Sequence, residues 1–138
     1  MALNVAKLQQ ELKGEVITAE QPGYAKAISR WAANAERKAK VVVFVKDSED
    51  VAATLNFAKA NSLAIAVRGG GHHPGGASSV EDGLVIDLSR HLNKVKVDPS
   101  KKLGYVGGGA IWEAVDKEAI KHGLAAVAGT VNHVSLEF

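Results

Sequence analysis
Apolar residues along this chain come in short runs of strand length, separated by stretches with helical spacing. That alternation predicts strand, helix, strand units. Val5, Leu8 and Leu12 recur at helical intervals, and Glu15-Val16-Ile17 after them reads as a short strand. Val41-Val42-Val43-Phe44-Val45 is a β-branched and aromatic run of strand length. Asp47, Glu49 and Asp50 follow it, where acids favour the positive end of a helix dipole. They predict a helix to about Asn61 with Val51, Leu55 and Ala58 turned inward. Residues 63–67 return to strand, and Leu84-Val85-Ile86-Asp87-Leu88 gives another buried one. Val95 and Val97 face Leu103, Tyr105 and Val106 across an Asp98-Pro99-Ser100-Lys101 turn, which predicts a hairpin. A last helix carries Trp112, Val115 and Ala119 on one face and stops at Gly123. Residues 22–40, rich in alanine and charge and holding Tyr24 and Trp31, read either as a loosely packed helix or as an irregular lead-in. The sum is one α+β domain: a small mixed sheet with flanking helices, then a hairpin and a helix.

Glycine adds candidate chemistry to this frame. Most of the 14 glycines fall between Gly69 and Gly109, and one run reads Val67-Arg68-Gly69-Gly70-Gly71-His72-His73-Pro74-Gly75-Gly76. Three consecutive glycines at a strand end carry a high entropy cost for a merely structural turn. They also let successive N–H groups converge into a nest for a phosphate or pyrophosphate, the alternative being a plain surface loop. Arg68 suits either a pyrophosphate or an ion pair at the strand end. A zinc site on His72 and His73 fails, because adjacent residues rarely ligate one metal and no carboxylate or cysteine stands at ligand spacing. Ser78 and Ser79 read as hydrogen-bonding the loop, Asp87 as a structural aspartate and Trp112 as core. Gly107, Gly108 and Gly109 read as a tight strand-to-helix turn rather than an anion site.

Composition narrows the partners. With 138 residues and 46% hydrophobic content, one sizeable core is expected. The 17 basic and 15 acidic residues are spread along the chain, giving +2 overall and no stripe for nucleic acid or a membrane surface. No cysteine is present, so disulfides and thiolate metal sites are excluded. The first residues hold no apolar stretch long enough for a signal peptide, and no later segment has the length to cross a bilayer. A soluble, cytoplasmic chain is the expectation.

The order of motifs from Ala64 to Val131 goes further. The Val-Arg-Gly-Gly-Gly-His-His loop, the Gly83-Leu84-Val85-Ile86-Asp87-Leu88 strand, Val106-Gly107-Gly108-Gly109-Ala110 and Ala128-Gly129-Thr130-Val131 occur together. This set resembles the FAD-linked oxidases with a PCMH-type (vanillyl-alcohol-oxidase-type) FAD-binding domain, particularly berberine-bridge-enzyme-like and 6-hydroxy-nicotine-oxidase-like members. The resemblance covers residues 38–134, with 1–37 as a lead-in and 135–138 divergent. It implies FAD as cofactor, contacted by Arg68, Gly69, Gly70, Gly71, His72, His73, Gly129, Thr130 and Val131. His72 matches the histidine that the family joins to the 8-methyl carbon of the flavin, whereas the His73 position varies. Val131 stands where doubly attached members carry cysteine, so the chain resembles the singly attached class at most.

The implied parent activity is oxidation of a small alcohol, amine or related metabolite, with hydride passing to flavin N5 and electrons to oxygen. The family continues past Thr130-Val131-Asn132-His133 with a second glycine-rich segment, but this chain reads Val134-Ser135-Leu136-Glu137-Phe138 and ends. The substrate domain and catalytic base belong to that remainder. The expectation is therefore weak or absent flavin binding, no covalent link, and no turnover by this chain alone. A non-catalytic structural or interaction module is the contrasting reading. Val127, Val131 and Val134, left without cover, predict a homodimer or larger assembly through residues 125–138.

Overall fold
The computed structural model describes residues 3–134. Its elements run α1 (Val5–Glu11), β1 (Glu15–Ile17), α2 (Tyr24–Ile28), a 3-10 turn (Ala33–Ala35), β2 (Val41–Phe44) and α3 (Ser48–Ala60). They continue with β3 (Ile65–Arg68), β4 (Leu84–Asp87), β5 (Val95–Asp98), β6 (Leu103–Val106) and α4 (Trp112–Ile120). Every residue of β2 and of β4 is buried, as expected of near-continuous valine runs covered on both faces. They pair in parallel, β3 adds to β4 in parallel, and β1 pairs antiparallel with β2, giving the order β1-β2-β4-β3.

Alternation along the strands divides the core. Val41, Val43, Val45, Leu84 and Ile86 pack with Leu8, Leu12 and Ala58 under α1 and α3. Val42, Phe44, Val85 and Ala66 face Ala27 and Ala39 on the other side. Burying each valine contributes about 1.5–3 kcal/mol. The alanines matter here because they let the thin 22–40 segment lie directly on the sheet. That segment is mostly irregular, with α2 as its one α-helix, and Tyr24 Oη anchors it by donating to the Ala39 carbonyl at 2.7 Å.

Helix α3 sits where its acids place it, capped by Asp47, whose carboxylate accepts from the Glu49 and Asp50 N–H groups. Its rotation differs from the expected one. The buried row is Asp50, Thr54 and Ala58, while Leu55 is 42% exposed. The cause is Asp50, whose buried carboxylate accepts N–H bonds from Lys13, Gly14 and Lys46 at 2.9, 3.0 and 2.9 Å and so turns that side inward. At the other end of the chain, β5 and β6 form the hairpin around a turn held by the Asp98 carboxylate. Gly107 and Gly109 follow it. A side chain at either would meet the Leu92 or Leu88 carbonyl oxygen at 2.2 and 2.1 Å, so they serve close backbone packing. The positions 135–138, with their divergent reading, lie outside the described residues.

Candidate functional site
Parallel strands end together, so β3 and β4 deliver their C-terminal residues, Arg68 and Asp87, side by side. The Arg68 Nη1 donates to Asp87 Oδ2 at 2.9 Å, and Asp87 is fully buried. Its other oxygen accepts from the Ser89 N–H and hydroxyl at 2.8 and 2.6 Å. Asp87 is thus the structural aspartate expected, and Arg68 makes the ion pair its position allowed. Arg68 also donates to the Ala27 carbonyl at 3.4 Å.

Beyond Arg68 the glycine–histidine loop begins. Its left-handed residues are Gly71 (φ +75°) and Gly76 (φ +83°). A side chain at Gly71 would stand 3.0 Å from Arg68 Nε and 3.2 Å from Arg30 Cδ, so both backbone and space demand glycine there. The Gly71 carbonyl accepts from the Trp31 N–H at 3.2 Å. His73 is exposed and folds back on its own loop, Nδ1 accepting from the Gly75 and Ala77 N–H groups at 3.1 and 3.4 Å. Ser78 and Ser79 do not behave as expected, because their hydroxyls are buried without a partner among the described residues. The loop is tied through the Ser78 carbonyl instead, which takes two bonds from Arg30.

The loop borders two recesses. Gly69 and Gly70 line a small one of about 260 Å³ with Ser89, Asn93, Gly109 and Ala110, so the two glycine runs meet in space. His72, His73 and Pro74 line a second cleft of about 440 Å³ with Trp31, Val131 and His133. The His72 ring lies 5.8 Å from the Trp31 ring and 5.0 Å from the His133 ring, centre to centre. Val131, 44% exposed, therefore joins the loop at one site. Gly129 sits instead on Trp112, its missing side chain 2.9 Å from Nε1, and Thr130 is exposed. The helix dipole of α4 is not free for an anion: its Trp112 and Glu113 N–H groups donate to the Val134 and Asn132 carbonyls at 3.1 and 2.6 Å. This agrees with a turn at Gly107, Gly108 and Gly109, and it folds part of the C-terminal segment back on the domain.

Electrostatics under the loop are positive. Arg30, 8% exposed, lies beside Arg68, and burial first and Arg68 second pull its guanidinium down to about 10, still charged at neutral pH. Arg30, Trp31 and His133 were not among the candidate residues. Composition hides them, since an arginine and a tryptophan in an alanine-rich lead-in carry no spacing signal.

Residues 39–136 match the model of an FAD binding domain family. The chain belongs to this family. It is 35% identical over 118 residues to (R)-6-hydroxynicotine oxidase of Paenarthrobacter nicotinovorans, covering 86% of this chain and 26% of that one. An uncharacterised FAD-linked oxidoreductase of Bacillus subtilis is 33% identical, at 91% and 28% coverage. The structure of 6-hydroxy-D-nicotine oxidase from Arthrobacter nicotinovorans superposes with a TM-score of 0.86 at 34% identity over 90% of this chain and 27% of that one. Glucooligosaccharide oxidase from Acremonium strictum, whose FAD is 6-S-cysteinyl and 8α-N1-histidyl, shares the fold at a TM-score of 0.86 and 21% identity, covering 98% of this chain and 28% of that one. The fold is that of a PCMH-type FAD-binding domain, and FAD is the family's cofactor. The chain spans about a quarter of the length of these relatives. Among the described residues, no helix is long and apolar enough to cross a membrane.

Proposed function
We propose that this chain supplies one wall of the FAD site of a flavin-dependent oxidase, built from Arg68, Gly69, Gly70, Gly71, His72, His73, Gly129, Thr130 and Val131, of which Gly69, Gly70, His72, His73 and Val131 line the two recesses. The observation that carries the reading is the single cleft in which His72 and Val131, 59 positions apart in the chain (131 − 72), meet Trp31. A planar heteroaromatic ring suits a cleft flanked by aromatic rings and valine. A pyrophosphate suits the side-chain-free surface of Gly69 and Gly70 beside Gly109, directly after Arg68 at the end of β3. The residues present thus fit FAD. When bound, FAD supplies the two-electron oxidising chemistry, and the protein orients it.

Within that division of labour, Gly71 gives the loop its reversal and Arg68 fixes the strand end. His72 presents an imidazole edge to the cleft and is the residue suited to a histidyl link. The whole oxidase takes a small alcohol, amine or related metabolite and passes electrons to oxygen, and this chain alone does not turn over. On mixing with FAD, the flavin absorption band is expected to shift, and His72→Ala is expected to weaken the shift. After acid precipitation, the intact mass is expected to equal that of the chain without FAD. An unchanged spectrum contradicts the site, and a mass raised by one FAD contradicts the expectation of no covalent link.

Fully exposed Val127 and half-exposed Val131 favour a second reading, an assembly of chains through residues 125–134. Light scattering at micromolar concentration is expected to give at least a dimer. A strictly monomeric mass refutes it.

A further inference from the structure
The flavin site read above rests on a loop whose shape is enforced from outside, by a residue that precedes the segment matched to the FAD binding domain family, 39–136. The Arg30 guanidinium is almost fully buried. Nε and Nη2 both donate to the Ser78 carbonyl, at 3.1 and 2.6 Å, across 48 positions of chain. Nη1 donates to the Ala27 and Ser29 carbonyls at 3.3 and 2.8 Å. Its neighbour Trp31 holds the Gly71 carbonyl through its own N–H. Arg30 Cδ packs 3.2 Å from where a Gly71 Cβ would stand. Residues 30 and 31 therefore grip the loop near its start, at Gly71, and at its end, at Ser78, with His72 between.

The cost of this arrangement is what marks it. Among the described residues no carboxylate lies within ion-pair distance of the Arg30 guanidinium; its hydrogen bonds go to carbonyls, Asp87 and Glu36 favour its charge only from longer range, and a second guanidinium, Arg68, opposes it. Burying an unpaired charge opposes folding unless something is gained. A hydrophobic residue would stabilise the α2-to-sheet contact more cheaply, but it has no five-donor fork to hold distant carbonyls in fixed relative positions.

Given the flavin reading, we propose that Arg30 is the positioning residue of the cofactor site, holding the Gly71-to-Ser78 loop, and with it His72 beside Trp31, in the binding arrangement before FAD arrives. A loop ordered in advance loses less entropy on binding, so affinity depends on a residue that need not touch the ligand.

The test compares the native chain with Arg30→Lys, which keeps the charge and most of the volume but replaces the three-nitrogen fork with donors on a single nitrogen, and with Arg30→Gln as the second variant. Amide hydrogen exchange is read first. In Arg30→Lys, the amides of Trp31, Gly75, Gly76 and Ser79 are expected to exchange about ten-fold faster, the equivalent of one charge-assisted hydrogen bond, while β2 and β4 amides stay within about two-fold. FAD affinity by flavin fluorescence is then expected to fall by about ten-fold. Unchanged loop exchange in a folded variant overturns the proposal, as does equal loosening of loop and sheet, which marks a purely structural arginine. If the native chain binds FAD and both variants bind it equally, the positioning role fails and the flavin site stands. If the loop loosens as expected but the native chain shows no FAD affinity, the clamp stands and the flavin reading fails.

Discussion
At the scale of single residues, the decisive pair is Arg68 with Asp87. Asp87 holds one carboxylate against Arg68 on one oxygen and Ser89 on the other, and a second guanidinium, Arg30, stands close by. Asp87→Asn removes the only counter-charge that bonds Arg68 among the described residues and leaves two buried or half-buried cations together. The variant is expected to lose about 3 kcal/mol of stability, measured by urea denaturation, because breaking one partner of a buried pair strands the other. Asp87 was legible in the sequence, since a carboxylate amid a valine and leucine strand must find a partner. Its partner was legible only as one of two options for Arg68. Arg30 was not legible at all: its acceptors are backbone carbonyls, one of them 48 positions away, and carbonyls leave no mark on a sequence. Likewise a glycine triplet announces close approach, but which of the three is left-handed depends on where Arg30 and Arg68 pack.

At the scale of elements, strands and helices followed the apolar pattern closely, because β-branched runs and helix-initiating acids are local signals. Rotation of α3 did not follow. Hydrophobicity points to Leu55, whereas the buried Asp50 carboxylate, gathering three N–H groups from two separate loops, decides the face. The same junction carries a pH dependence. Lys13 Nζ bonds Asp47 and Glu49 at 2.6 and 2.5 Å and holds the Asp47 carboxyl below its ordinary value of 3.8, while Lys13 itself is raised. A carboxyl depressed in the folded state contributes stability above that ordinary value and loses it as pH falls through the folded value. The urea midpoint of the native chain is therefore expected to drop more steeply below pH 3.8 than that of Lys13→Met. Parallel acid slopes for the two proteins contradict the assignment.

At the scale of the whole molecule, two covered faces of one sheet hold up a loop that a ligand can approach, and the proposed FAD site lies on that loop. The order of glycine-rich motifs disclosed this layout early, because each glycine run marks a place where backbone approaches backbone or ligand. The clustering of Trp31 and His133 around His72 was hidden, since it arises only when the lead-in segment and the C-terminal segment close on the same loop. The most direct measurement is a fluorescence titration of FAD into the purified chain and into Gly71→Val. At Gly71 a branched side chain meets both an adverse φ of +75° and the two arginines. Saturable one-to-one binding by the native chain, weakened at least about ten-fold in Gly71→Val, is expected. No saturable binding by the native chain, or equal binding by the variant, contradicts the glycine–histidine loop as the FAD site.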